Sequence, residues 1–236
     1  MKNIKVLVAC ECSGRVKTAF RERGFDAWSC DLKPSEIPDD KYHLEGDIQE
    51  VLRNIPEWDL MIAHPDCQYL ASSGLHWNSR IPGRHQKTNE AIEFVKWLLS
   101  VPIPCIALEN PIGCISTKIR KPDQIIQPYQ FGEDASKATC LWLKGLPKLQ
   151  PTEYVLPHWR CECGYQFKNT IYGRFCPDCH KNSYGKWVWA NQTPSGQNKL
   201  SPSDHRKADR ARTYQGIANA MADQWGDYLM KAVVSP

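Results

Sequence analysis

The sequence predicts an α/β fold in which helices cover a parallel sheet, and three observations carry that prediction. Short apolar runs recur through the first 143 residues. Each ends at a polar or acidic residue, and segments of helical period lie between them. Strand, helix, strand in repetition requires crossovers, and crossovers place helices over parallel strands.

The elements follow in order. Residues 4–9, IKVLVA, read as a fully buried strand. SGRVKTAFRERG then spaces Val16, Ala19 and Phe20 on one helical face and stops at Gly24, a C-terminal cap. DAWSC is a second strand ending at Asp31, and EGDIQE sets Asp47 near the end of a further short strand. Residues 59–63 form the next strand. TNEAIEFVKWLLS, residues 88–100, aligns Ala91, Ile92, Val95, Leu98 and Leu99 as a helix face. IPCIALEN is an apolar strand that terminates at Glu109 and Asn110, and TCLWL is another. From about residue 138 the pattern changes, and a region rich in Pro and Cys runs to about residue 200. Residues 207–233 recover helical period through Ile217, Met221, Trp225 and Leu229, with Gly216 marking a break or a pair of helices. This predicts an α/β domain over 1–150, an insertion over 151–200 and a helical segment over 201–236 that completes the first domain.

Composition narrows the function classes. No apolar run approaches the roughly 20 residues of a membrane span, and MKNIKVLVAC leads into a helix-like segment with no small-residue cleavage site. The expectation is a buried first strand and a cytoplasmic protein. The formal charge of +4 permits nucleic-acid binding without arguing for it. Basic clusters at Lys118, Arg120 and Lys121 and at His205, Arg206, Lys207, Arg210 and Arg212 fit either a ligand or a solvated face. Eleven cysteines in such a protein point to metal ligands, catalytic thiols or small buried hydrophobes. Cys10, Cys12, Cys30, Cys105, Cys114 and Cys140 lie in or beside apolar runs and read as core.

Three constellations carry chemistry. The turn ACECSGRV follows the first strand and contains Gly14. Ligands of open α/β sheets sit beyond the carboxyl ends of strands, where glycine permits close approach. Asp31 is placed to accept from ribose hydroxyls and Asp47 to reach an adenine amino group, so the series suggests a nucleoside-bearing cofactor. The turn has neither GxGxxG nor a Walker lysine, which argues against NAD and ATP. The second constellation is Cys67, in DLMIAHPDCQYLASSG, with Glu109, in LENP. Both follow apolar strands and emerge on one sheet edge, where a thiol and a carboxyl group suit covalent catalysis with general-acid assistance. The third is CECGYQFKNTIYGRFCPDC, whose Cys161, Cys163, Cys176 and Cys179 are spaced for a closed tetrahedral zinc site. Gly164 and Pro177 fit knuckle turns, and His180 is an alternative ligand. His158, Trp159, Tyr165, Phe167, Lys168, Tyr172, Arg174 and Trp187 surround it, as a base-stacking surface or as the core of a small ribbon.

HPDCQYLASSG resembles the PPCQ-type nucleophile loop of the cytosine-C5 methyltransferases, and LENP resembles their ENV glutamate motif. ECSGRVKTAFRERGFDAWSCDL is similar to the family's cofactor segment, GDI to its adenine-contacting stretch, and GIANAMADQW to its carboxy-terminal GNAV-type segment. The wording, including SKATCLWL, is closest to small phage and prophage members, and the similarity covers about residues 4–143 and 210–226. The resemblance implies a Rossmann-like class I S-adenosylmethionine-dependent methyltransferase fold with a zinc-ribbon insertion. It implies cofactor contacts from Cys10, Glu11, Ser13, Gly14, Asp31, Asp47, Pro65 and Asn219, with Cys67 and Glu109 catalytic. The departures are Asp66 in place of a second proline, a first turn without Phe-x-Gly-x-Gly, and no QxRxR motif. Lys137, Arg206 or Arg210 would supply that missing cation. The zinc cluster occupies the place of the target-recognition region.

The expected activity is methyl transfer from S-adenosylmethionine to C5 of cytosine in DNA through a covalent Cys67–C6 adduct, with a structural Zn²⁺. Two alternatives stand beside it: methylation of free dCMP, and a catalytically inactive zinc-ribbon nucleic-acid binder on the same fold.

Overall fold

The computed structural model describes residues 3–161, 163–167, 176, 178–180, 186–192 and 212–234. The chain divides into two compact units, Met1–Ile126 with Ala138–Gln150 and Ala211–Pro236, and Gln127–Lys137 with Pro151–Arg210. The first unit is built on β1 (Lys5–Ala9), β2 (Asp26–Asp31), β3 (His43–Glu45), β4 (Leu60–Ala63), β5 (Cys105–Pro111), β6 (Gln124–Ile126) and β7 (Thr139–Lys144). They form one sheet in the order β3-β2-β1-β4-β5-β7-β6. The first five strands are mutually parallel, and β7 runs antiparallel to both its neighbours. The chain starts in the middle, winds outward to β3, then returns to the other side of β1. This is the Rossmann-like class I methyltransferase fold, and its switch point lies between β1 and β4.

The helices of this unit are α1 (Arg15–Glu22), α2 (Ile48–Asn54), α3 (Ser72–Leu75), α4 (Arg84–Ser100), α5 (Ile115–Lys118) and α6 (Gln215–Val234). Leu7, Met61, Ile106 and Leu108 from the strands pack with Ile92, Val95 and Leu98 of α4 and with Trp142 of β7 in one core. Helix α4 starts four residues before the expected 88, because Gly83 takes the left-handed turn (φ 74°) that opens it. Ala91 and Leu99 are only partly buried. Helix α6 is continuous, with Gly216 in its first turn. It packs on α1, burying Ile217, Met221, Trp225 and Leu229. A Cβ at Gly226 would come within 2.6 Å of the Phe25 ring, so glycine lets the helix sit close there.

In the second unit β8 (His158–Arg160), β9 (Gln166–Phe167) and β10 (Lys186–Val188) form an antiparallel sheet in the order β10-β8-β9. The excursion between β6 and β7 belongs to this unit. Tyr129 stacks on Trp189 with ring centroids 4.5 Å apart, Asp134 pairs with His158, and Asn191 accepts from the Ser136 amide at 3.0 Å. No helix among the described residues is long and apolar enough to cross a membrane.

Candidate active site and metal centre

Strands β4 and β5 are parallel neighbours with Ala63 paired to Leu108. The next position on each strand end therefore brings His64 beside Glu109, and the one after brings Pro65 beside Asn110. The side chains use that alignment. His64 Nδ1 lies 2.6 Å from Glu109 Oε2, and Thr213, which precedes α6, donates its hydroxyl to the same oxygen at 3.2 Å. The Asn110 amide donates to the Pro65 carbonyl at 2.8 Å. Glu109, Asn110 and Thr213 are all buried, and the Glu109 carboxyl group is only 8% exposed. Burial, with the Glu109 charge added to it, raises the pKa of the adjacent Cys140 thiol.

After Pro65 the chain turns at Asp66 into a single 3₁₀ turn, Cys67–Tyr69. The Asp66 carboxylate accepts from the Gln68 amide at 2.9 Å, and the Cys67 carbonyl accepts from Leu70 and Ala71. Cys67 itself is half-buried. The loop is fastened to the segment that follows β5. Ser72 N donates to Ile112 O and Cys114 N to Leu70 O, each at 2.9 Å. Gly113 passes so close that a Cβ there would lie 1.9 Å from the Leu70 carbonyl oxygen. The structure thus joins the Cys67 loop to the strand that carries Glu109. Sequence reasoning identified both residues but missed His64, Asn110 and Thr213. His64 had one usable signal, a polar residue at a strand end directly before the Cys67 loop.

The expected cofactor residues divide. At the end of β1, Cys10 adopts φ 61°, a left-handed turn made without glycine at a cost of about 1–2 kcal/mol. Its thiol is pushed far above the usual range by burial and then by Asp31, Cys30, Asp47 and Asp66. Those three carboxylates therefore act on one point at the carboxyl edge of β1, β2 and β4. Asp47 is exposed and caps α2 through the Gln49 amide (2.8 Å), and Asp31 accepts from Lys33 N at 3.0 Å.

Glu11 is committed to the fold. Its carboxylate accepts from Val16 N (2.9 Å), Lys17 N (3.4 Å) and the Ser13 hydroxyl (3.1 Å), holding the first turn of α1. Gly14 is left-handed (φ 68°), and a Cβ on it would meet Ile37 Cδ1 at 2.5 Å. The loop bearing Ile37 lies over this turn, with Glu36 N donating to Cys12 O at 2.8 Å and the Glu36 carboxylate meeting Arg212 at 2.7 Å. Asn219 lies in α6, where it accepts from Gln215 at 3.0 Å. Of the cations considered for the missing motif, Lys137 belongs to the second unit, and Arg206 and Arg210 lie outside the described residues. Of the six cysteines read as core, Cys30, Cys105, Cys114 and Cys140 are buried, whereas Cys10 and Cys12 are partly exposed on this turn.

In the second unit the sulfurs of Cys161, Cys163, Cys176 and Cys179 all lie within 4.8 Å of one another. Cys161–Cys179 are 3.6 Å apart and Cys163–Cys176 3.7 Å. Four sulfurs about 2.3 Å from one zinc ion at tetrahedral angles stand about 3.8 Å apart, so the set fits that metal and leaves no open position. The turns agree. Gly164 N donates to Cys161 O at 2.9 Å and His180 N to Cys176 O at 3.0 Å. His180 is exposed and outside the sulfur cluster. Tyr165 and Trp187 are 43% and 50% exposed, whereas Lys168, Tyr172, Arg174 and Pro177 lie outside the described residues.

The strand order and the switch point therefore give this chain the Rossmann-like class I methyltransferase fold. No family model matches the chain, and no curated protein matches it. Among solved structures it is similar to a protein named as a DNA modification methyltransferase encoded within a prophage of E. coli, at 13% identity and a TM-score of 0.42 over 64% of this chain and 52% of that one. It is similar to the Dnmt2 methyltransferase of S. pombe at 17% identity and a TM-score of 0.41, over 61% and 50% of the two chains. It is also similar to the Entamoeba histolytica methyltransferase EhMeth, at 12% identity and a TM-score of 0.41, over 66% and 59%. The chain spans about half to three-fifths of the length of these structures.

Proposed function

We propose that the protein methylates C5 of cytosine in DNA, with S-adenosylmethionine as methyl donor. The observation that carries this reading is the fastening of the Cys67 loop to the Glu109 strand through Asn110–Pro65 and the Gly113–Leu70 approach. Cytosine C5 is too weakly nucleophilic to take a methyl group unaided. Attack of the Cys67 thiolate on C6 forms the S–C6 bond and moves the C5=C6 pair toward C4. The C4=N3 pair then collects on N3, which takes a proton from Glu109. The electron-rich C5 so formed is the acceptor, and the cofactor's sulfonium supplies the methyl group when bound. Loss of the C5 proton to water and departure of the Cys67 thiolate restore the ring. Asp31 and Asp47, with the turn at Cys10 and Gly14, are the residues that would hold the cofactor, and Cys161, Cys163, Cys176 and Cys179 would hold a structural zinc.

DNA requires the base to leave the stack at a cost of a few kcal/mol. The second unit supports a polyanionic substrate by its sequence. It spans ten Lys and Arg against seven Asp and Glu, so +3 of the chain's +4 lies there. The test supplies methyl-labelled cofactor with duplex DNA, single-stranded DNA and dCMP in parallel, using wild type and Cys67→Ser. Label is expected in duplex DNA with wild type alone. Label in none of the three, or equal label with the variant, refutes the mechanism, and label in dCMP alone refutes the DNA assignment. Binding to DNA should weaken steeply with salt.

A further inference from the structure

The reading above asks Glu109, a group only 8% exposed, to give its proton to N3 and become a carboxylate. A buried anion is costly without hydrogen bonds or a countercharge. The structure supplies two partners at one oxygen. Thr213 donates to Oε2 at 3.2 Å, and His64 Nδ1 meets the same atom at 2.6 Å. These partners lie on opposite sides of Glu109 in sequence, 104 and 45 residues away.

We propose that His64 and Thr213 are positioning residues for proton transfer by Glu109, an inference that rests on the function proposed above. His64 carries its proton on Nδ1 and donates it to Oε2. An oxygen that accepts from two donors is the carbonyl-type oxygen of a carboxylic acid, so the exchangeable proton belongs to Oε1. As sulfur adds to C6, that proton passes from Oε1 to N3, and the two donors stabilise the carboxylate left behind. When the C6–S bond breaks, the proton returns from N3 to Oε1. No oxidant is consumed, and the one proton released overall is the C5 proton, which passes to water.

The rival is a purely structural pairing that tethers two strand ends, and kinetics on the full chain separates them. His64→Leu and Thr213→Val should each lower kcat, by about 100-fold and about 10-fold, with KM for DNA and for the cofactor within about twofold. His64→Asn, which returns an N–H near the Nδ1 position, should recover about tenfold. In a Glu109→Gln background His64→Leu should have no further effect on kcat, because its partner has already lost the proton it serves. An unchanged kcat, a loss confined to KM, or fully multiplicative effects in the double variant would overturn the proposal. If His64→Leu does not fold, Thr213→Val and the Asn variant carry the test. A second readout is independent of turnover. The wild-type proton NMR spectrum should contain a far-downfield Nδ1–H resonance that His64→Leu removes and Glu109→Gln shifts upfield. Its absence overturns the donor assignment. If the resonance is present but no cytosine substrate is methylated, the reaction fails and its proton-transfer role with it, while the hydrogen bond stands.

Discussion

Gly113→Ala tests most directly whether the β4–β5 edge works as one site. A Cβ at this position would lie 1.9 Å from Leu70 O, where real contacts essentially never fall below 3.0 Å. One backbone must therefore retreat by about 1.1 Å. Leu70 ends the 3₁₀ turn that begins at Cys67, so the retreat moves the thiol's own loop away from Glu109's strand. A misplacement of about 1 Å at a reacting centre costs on the order of 100-fold in rate. The bonds Ser72 N–Ile112 O and Cys114 N–Leu70 O flank the contact, and losing both removes about 2 kcal/mol of stability. Gly24→Ala is the control. Its glycine is left-handed (φ 84°), and a Cβ there has nothing within 4 Å, so it pays only the backbone cost of about 1–2 kcal/mol. The assay is label transfer to DNA at saturating substrates beside urea unfolding of both variants. Gly113→Ala should lose about 100-fold in kcat, and Gly24→Ala should keep its kcat at similar stability. A Gly113→Ala enzyme with wild-type kcat would refute the idea that this approach sets the geometry of Cys67 and Glu109.

The remaining predictions concern the fold around that site. Lys17 is buried in α1 and pairs with Asp40, whose side chain is also buried. Burial opposes ionisation of Asp40, but the bonds from Lys17, Ser35 and the Tyr42 amide hold its pKa below the usual carboxylate range. Its native pKa being depressed, Asp40 contributes fully above the unfolded value of about 3.9, and that contribution fades as pH falls through the native value. Lys17→Met should cost about 3–5 kcal/mol at pH 7 and turn the local effect of acid from destabilising to stabilising. Urea titrations from pH 3 to 7 check this, and a loss under 1 kcal/mol would contradict it. Metal analysis should find one zinc per chain, and Cys163→Ser should release it while amide-exchange protection in β1, β4 and β5 persists. Loss of protection there would show the metal to be general scaffolding. The Cys30 thiol is pushed up to about 12 by burial and then by Asp31 and Asp47, so alkylation of the native protein at pH 8 should leave it unmodified. Rapid labelling of Cys30 mapped by mass spectrometry would count against that environment.

Strands β1, β4 and β5 were legible because both their faces are covered, which leaves continuous apolar runs. Direction was not legible. TCLWL reads as a buried strand whichever way it points, and only pairing with β5 makes β7 antiparallel. Strand β6, at three residues, is shorter than any periodicity can register. The four-cysteine cluster was readable because thiolate chemistry and knuckle turns constrain its spacing. Lys17 was not, since a cation beside Val16, Ala19 and Phe20 reads as the edge of an apolar face until Asp40 folds over it. Glu11 and Ser13 were expected to contact the cofactor, but their hydrogen bonds go to each other and to the start of α1. Thr213 reaches Glu109 only because α6 packs on α1, and no local pattern encodes that return.

Asp66 looked like the least comfortable departure from the resemblance, because a stiff proline was expected in front of the nucleophile. The backbone removes the conflict. Asp66 has φ −54°, inside the range of about −65 ± 15° that a proline ring enforces. Its carboxylate then caps the turn through Gln68 N, closing by hydrogen bond what a ring closes covalently. The same preference of aspartate for this position ahead of a helical turn is a general property of its side chain. The loop shape at Cys67 is therefore specified twice, by Pro65 on one side and by the Asp66 cap on the other. Neither specification would matter without register. Had β4 slipped by one residue against β5, His64 would face the wrong side of the sheet. Glu109 would lose its nearest partner and Asn110 its carbonyl. The pairing of Ala63 with Leu108 is the geometric fact from which the His64–Glu109 and Asn110–Pro65 contacts follow.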